Sequence, residues 1–420
     1  MNIIDVNKIL RRYSHLPAVA IWKAIIVNEG VDSCLNKKDF EKKFNNYKIK
    51  YAVKSPISSD YKVLDRSADQ RVIPSEVIIK DNDNNLSLLK LRYNPQSVIN
   101  LAITGNNEEN IKFYIKNKDK KVIIPVDISF VKEKGDSVVS LLGRDRLSIN
   151  LFEGCWNWNS GCQCKFCDLS PKRKDYRSVV PSLNDLRPLD FDYELWWNKY
   201  KMDFFKRLNK SFKKMYKLAE PHKHLLIMSG GFIDNDFLWK MIIELTEELN
   251  RIIPLKKLDN YINVPPPTNN IKKHFLRLKS LGIKQMQINL EVANKKKFEK
   301  TCPGKNKTIG YDNYQKALKV AVTVFGRGKV RSNFVFTSHA AKELLDEAKR
   351  LAKLGVIMDY SIFQPKKGTP WSEKKGPAAG EILSFTEALA KIYKKHNFRG
   401  IYCNLSSRSS IINEVLNYKD

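Results

Sequence analysis

From about residue 147 onward, short apolar runs alternate with segments of helical period, and this alternation limits the fold more than any other feature of the 420-residue chain. SINLFEG (148–154), HLLIMS (224–229), YINV (261–264), QMQINLEV (285–292), KVRSNFVF (329–336) and VIMDYSIFQP (356–365) read as buried strands, and a shorter strand is expected at 398–403. Between them, 235–250 places Leu238, Met241, Ile242, Leu245 and Leu249 at helical spacing. Helices are also expected over 270–281, closed by Gly282, over 312–325, stopped by Gly326, over 338–354, ending at Gly355, and over 380–395. Strands and helices in this order build a parallel sheet of βαβ units. The fold class is therefore α/β, a partial or complete (β/α) barrel, with its chemistry at the C-terminal ends of the strands.

Residues 1–145 have a different grammar. A short helix at 16–28 precedes β-rich runs at 47–53, 71–80, 87–93, 97–105 and 122–131, separated by turn signals such as KDNDNN and NKDKK. This reads as a mostly β N-terminal domain without a catalytic motif. The expected division is 1–145, a barrel core over 146–375 and a C-terminal α/β extension over 376–420. No apolar run is long enough to span a bilayer, and the N-terminus has no apolar secretion core, so a cytoplasmic chain is expected. The net charge is +30. It fits a polyanionic partner such as RNA, DNA or an acidic membrane surface, but a compositional lysine bias is the favoured reading, because the lysines spread over the whole chain. The densest basic patches are 206–217 and 171–174.

Four of the seven cysteines crowd into 155–167, as Cys155-x6-Cys162-x-Cys164-x2-Cys167, while Cys34, Cys302 and Cys403 stand alone. A disulfide framework would spread its cysteines, and structural zinc would require a second knuckle; one tight cluster after a strand reads as a metal site. Cys164-Lys165-Phe166-Cys167 resembles the CxφC half of the cluster motif of the radical S-adenosylmethionine (SAM) superfamily, φ being aromatic. In that family three cysteines, usually CxxxCxxC, hold a [4Fe-4S] cluster in the loop after the first barrel strand, and the open iron chelates SAM. Here Ser160 stands where the usual spacing puts the first cysteine. Two ligand sets follow. Cys155, Cys164 and Cys167 is favoured, because an expanded loop closes around a cube more easily than a C-x-C step; Cys162, Cys164 and Cys167 is the tighter alternative.

The resemblance extends downstream. Ser229, Gly230 and Gly231 end the second strand and resemble the "GGE" turn that meets the SAM amino group, although Phe232 replaces the glutamate. Glu291 ends the fourth strand and resembles the acidic strand end that accepts the SAM ribose hydroxyls; an N-cap or a salt bridge is the alternative role. Arg331 and Asn333 are candidates for contact with SAM or an acidic substrate from the next strand, with a solvated arginine the other reading. Phe166 is expected near the adenine. Residues 364–370 resemble the P-x-x-GTP loop at the barrel mouth. Cys302 lies in the Thr301–Lys305 segment after the Glu291 strand, as a weak candidate for catalysis or as a small apolar thiol. The resemblance covers about 148–375 and is closest to the branch of biotin synthase, HydE and methylornithine synthase.

What it implies is reductive cleavage of SAM to a 5′-deoxyadenosyl radical that abstracts hydrogen from substrate. It also implies a low-potential electron donor, flavodoxin- or ferredoxin-like, and an oxygen-sensitive enzyme. A small molecule or cofactor precursor is the favoured substrate. Modification of RNA or protein is the second reading, and a basic nucleic-acid-binding protein with a structural metal site the third.

Overall fold

A computed structural model of the chain describes residues 3–33, 49–51, 72–74, 76–94, 96–103, 111–117, 120–130, 138–152, 154–169, 192–220, 222–366, 368–400, 405 and 408–416. Helices α1 (Ile3–Arg12) and α2 (Ala18–Glu29) open it. Every residue of α2 from Val19 to Val27 is buried, so α2 is a core helix, apolar all round except at Lys23. Among the described residues nine short strands follow: β1 (Asp32–Ser33), β2 (Ile49–Tyr51), β3 (Val72–Pro74), β4 (Glu76–Lys80), β5 (Leu86–Lys90), β6 (Ile99–Ile103), β7 (Ile111–Asn117), β8 (Lys120–Ile123) and β9 (Asp127–Phe130). They form sheets of order β1-β6-β7-β8 and β5-β4-β9 and the pair β2-β3.

One seven-stranded sheet dominates the rest, in strict sequence order. β10 (Val139–Leu142) and β11 (Arg146–Asn150) make an antiparallel hairpin; β12 (His224–Met228), β13 (Asp259–Asn263), β14 (Gln285–Gln287), β15 (Val330–Phe336) and β16 (Val356–Ile362) continue parallel to β11. No pairing joins β16 back to β10 among the described strands, so the sheet is open. The helices between strands are α3 (Trp156–Asn159), α4 (Tyr193–Leu218), α5 (Asn235–Ile252), α6 (Ile271–Ser280), α7 (Lys295–Thr301), α8 (Pro303–Thr308), α9 (Tyr311–Phe325) and α10 (Ala341–Leu354), followed after β16 by α11 (Ala379–Lys395) and α12 (Ile412–Leu416). Gly282 shows why the turn after α6 requires glycine: its φ is +99° and a Cβ would stand 2.7 Å from the Lys256 nitrogen.

Several elements differ from the sequence reading. α1, β7, β10, α4, α7 and α8 were not expected. α4 is the largest of these. Asp192 caps it by accepting from the Leu195 N–H at 2.9 Å, and Trp196, Trp197, Phe204, Leu208, Phe212 and Met215 bury one face. β14 is shorter than 285–292, because from Ile288 the chain leaves regular pairing, with one isolated bridge at Glu291. The strand expected at 398–403 lies partly outside the described residues, and 398–400 are not strand; Cys34, Cys403 and the basic patch 171–174 also lie outside them.

The N-terminal residues share one hydrophobic core with the large sheet. Their polar ties run to the far end of the chain. Lys23 Nζ donates to Glu414 Oε1 at 2.8 Å, Ser87 Oγ donates to the same oxygen at 2.6 Å, and Arg408 approaches it at 3.3 Å. The Tyr13 hydroxyl donates to the Gly380 carbonyl at 3.0 Å. Burial pulls Lys23 down to about 8 against the attraction of Glu414. Burial pushes Glu414 the other way, but Arg408 and Lys23 outweigh it and hold the carboxyl near 2. A carboxyl depressed in the folded state stabilises it above the unfolded pKa, and that contribution disappears as the pH falls through the folded value. Chemical denaturation of the wild type is expected to show stability lost between about pH 4.5 and pH 2. Glu414→Gln leaves Lys23 buried without its counter-ion, should cost about 3–5 kcal/mol at pH 7, and should flatten that acid limb.

Candidate active site

The C-terminal ends of β11, β12, β13 and β14, with the inner face of β10, enclose a cavity of about 460 Å³. Its walls carry the segments that the sequence singled out. β11 leads into Gly154, Cys155 and α3, and β12 into Ser229, Gly230 and Gly231. The two loops are locked together: the Trp156 N–H donates to the Gly231 carbonyl at 2.8 Å, and the Gly231 N–H donates to Cys155 Sγ at 3.2 Å. Gly230 makes the approach sterically feasible, since a Cβ there would lie 2.4 Å from the Gly154 carbonyl oxygen and 2.9 Å from Cys155 Cα.

Cys155, Cys164 and Cys167 line the cavity and Cys162 does not. Cys162 is engaged in the loop's own scaffold. Its N–H donates to the Asn157 carbonyl at 2.8 Å and its carbonyl accepts from Gly304 at 2.9 Å. Burial, then the neighbouring Cys164, pushes the Cys155 thiol up. A hydrogen bond with Cys302, then burial, does the same to Cys164. Burial and the other two thiols lift Cys167 to about 12. Thiols held up in this way ionise when a metal replaces their protons, and Cys155, Cys164 and Cys167 offer the cavity three soft sulfur donors, the ligand type that iron–sulfur clusters take. Phe166 also lines the cavity, and its ring packs on Trp371 at 5.9 Å. The loop expected at the barrel mouth holds this segment: Trp371 N–H donates to the Lys165 carbonyl at 2.9 Å, and Lys366 pairs with Asp168 at 2.6 Å.

Glu291 reaches the opposite wall in an unusual backbone state, with φ +67°. Its N–H donates to the Asn333 carbonyl at 3.0 Å and its carbonyl accepts from Val335 at 2.9 Å, which hold that conformation. Lys305 Nζ donates to its carboxylate at 2.7 Å and more weakly to the Asn289 carbonyl at 3.3 Å. Burial would lower Lys305, but Glu291 chiefly carries it well above the usual lysine range, so Lys305 is held as an ammonium group. Asn263 and Asn289, joined at 3.2 Å, line the cavity beside it. Tyr314, fully buried, also reaches the wall, and its hydroxyl has no hydrogen-bond partner among the described residues.

Three candidates take other positions. Arg331 is near the start of β15, at the end of the sheet away from the cavity. It is buried against Gln285 (3.3 Å) and the Gly400 carbonyl (2.8 Å), so it neither reaches the cavity nor is solvated. Asn333 stands one layer behind the wall: its N–H donates to Asn289 Oδ1 at 3.1 Å and its amide nitrogen to Ser361 at 3.1 Å. Cys302 is fully buried behind Cys164 and does not line the cavity. Sequence reasoning missed Lys305, Tyr314, Asn157 and the Asn263–Asn289 pair. Only Lys305 carried a signal, as part of the Thr301–Lys305 segment; the others arrive from helices and strand ends whose polar residues look ordinary in one dimension.

Two substitutions test this arrangement. Gly230→Ala should wedge the Cys155 loop off β12, with an overpacking cost of about 1–3 kcal/mol and a lowered iron content after anaerobic reconstitution. Cys155→Ala should lose the cluster's visible absorbance, whereas Cys162→Ala should retain most of it.

No family model matches the chain. A bacteriochlorophyllide c C-7(1)-hydroxylase from Chlorobaculum limnaeum is 24% identical over 277 residues, which is 63% of this chain and 63% of that protein's length. Among solved structures, a radical SAM methyltransferase from Sphaerobacter thermophilus aligns over 75% of this chain and 82% of its own, at 12% identity and a TM-score of 0.40. Methylornithine synthase aligns over 61% and 64%, at 13% identity and a TM-score of 0.38. The chain is thus similar, over part of its length, to this hydroxylase and to these radical SAM proteins.

Proposed function

We propose that this chain cleaves SAM reductively and directs the resulting radical at a small-molecule or cofactor-precursor substrate. The observation that carries the reading is the meeting of Cys155, Cys164 and Cys167 with Ser229–Gly231 and Glu291 on the walls of one cavity. We read 146–375 as a partial radical SAM barrel, 376–420 as its extension, and 1–145 as a β-rich N-terminal domain packed on it. The hydroxylase relative is named for a chlorophyllide, and a small cofactor-type substrate for this chain is in keeping with that.

When bound, the cluster and SAM supply one electron and a 5′-deoxyadenosyl radical, leaving methionine. The chain's own residues do the rest. Cys155, Cys164 and Cys167 hold the cluster on the β11 wall. Ser229 and the backbone of Gly230 present polar groups to the amino-acid end of SAM, beside Gly231, whose own N–H and carbonyl hold the Cys155 loop. Glu291, ion-paired with Lys305, accepts hydrogen bonds from sugar hydroxyls, and Asn263 and Asn289 fix the neighbouring polar edge. Phe152, Phe166, Phe232 and Val264 give the cavity an apolar lining that excludes water from a reactive intermediate. A flavodoxin- or ferredoxin-like donor in a reducing, cytoplasmic setting would supply the electron. A cavity of this size favours a small substrate over a macromolecular one.

The test is anaerobic reconstitution with iron and sulfide, addition of SAM and dithionite, and mass spectrometry of 5′-deoxyadenosine. The wild type should form it, and Cys164→Ala should lose cluster and product together. Absence of product from a fully loaded wild type, with and without candidate metabolites or RNA, would overturn the reading.

A further inference from the structure

We propose that the outer face of α4 docks this enzyme on an anionic lipid surface. The proposal is independent of the chemistry inside the cavity. On a helix of 3.6 residues per turn, Leu195, Lys199, Met202, Lys206, Lys210, Lys213 and Lys217 fall within roughly a quarter of the circumference and run for about 33 Å. All seven are exposed. The stripe is therefore a single line of five ammonium groups, with two apolar side chains at its N-terminal half that are each 69% exposed.

The surrounding acids do not neutralise it. Glu194 and Asp203, the two acidic residues of α4, are paired with Lys240 and Arg207. On the adjacent α5, Glu244 pairs with Lys201, Glu247 with Arg277 and Glu248 with Arg251. Among the described residues, Lys206, Lys210, Lys213 and Lys217 have no acidic partner.

Charge alone would suit a nucleic acid as well as a membrane. The two leucine and methionine side chains decide between them, because a bilayer gains by receiving apolar groups beside basic ones and a phosphate track does not. The apolar end of the stripe is also the end near the cavity. Tyr193, the first residue of α4, packs edge-on against Phe232 at 5.3 Å, and Phe232 lines the cavity wall. A membrane-bound α4 would hold the mouth of the cavity close to the acyl–headgroup boundary, where amphiphilic substrates collect. This is peripheral attachment: no described helix is long and apolar enough to cross a bilayer.

The experiment is co-sedimentation of the cluster-loaded protein with phosphatidylcholine vesicles, with and without phosphatidylglycerol, at 0.15 M salt. Binding is expected only with the anionic lipid and should weaken as salt rises. The triple variant Lys206→Gln/Lys210→Gln/Lys213→Gln should bind about 100-fold more weakly, roughly five-fold for each lysine. Leu195→Ser/Met202→Ser should weaken binding without changing its salt dependence. All five side chains are exposed, and unchanged circular dichroism and cluster absorbance would show that the variants remain folded. Equal binding to neutral vesicles, no binding to anionic ones, or an unaffected triple variant would overturn the proposal. So would single-stranded RNA that binds more tightly than the vesicles and loses affinity in the triple variant, since the stripe would then be an RNA track.

Discussion

The close seating of the Cys155 loop on the end of β12 is the contact on which the rest of the site depends. It is permitted by the bare α-carbon of Gly230 and fixed by two hydrogen bonds, Trp156 to Gly231 and Gly231 to Cys155 Sγ. Without that approach, α3 could not place Asn157 beneath Gly231 and Gly304, and Cys162 could not hand its carbonyl to Gly304. The link to Gly304 in turn brings α8 and Lys305 to Glu291. One steric allowance thus connects the thiol wall to the carboxylate wall across three βα units.

The carboxylate wall meets a different requirement. A buried carboxylate needs a counter-charge and hydrogen bonds or it protonates. Glu291 receives Lys305 for charge, and its backbone is gripped by Asn333 and Val335 on β15. Behind it, Asn263, Asn289, Asn333 and Ser361 form a relay of amides and hydroxyls across β13 to β16. Such a relay keeps the polar edge of the cavity in one arrangement, and pre-arranged dipoles serve a reactive intermediate better than mobile ones.

The parallel sheet was legible because its strands are apolar runs and its helices have clear periods, and the thiols were legible because clustered cysteines are rare. α4 was hidden by its own surface: the lysines of 206–217 drew attention as a charge patch, while Trp196, Trp197, Phe204, Leu208, Phe212 and Met215 kept the helical period beneath them. Arg331 misled because a strand's second residue and its last look alike in sequence, yet they stand at opposite ends of the sheet. Lys305 and Tyr314 were hard to foresee because their roles arise from where α8 and α9 pack, a tertiary matter that spacing does not encode. β10 was missed for a related reason: four residues of edge strand gain meaning only from pairing with β11.

The buried tie between Lys23 and Glu414 has a consequence for biogenesis. Its partners are 391 residues apart. In synthesis α2 precedes Glu414, as a nearly all-apolar helix whose one ammonium group is buried favourably only against a carboxylate made much later. The final docking of α2 therefore waits on distant residues, and until they arrive its apolar sides have no finished place to go.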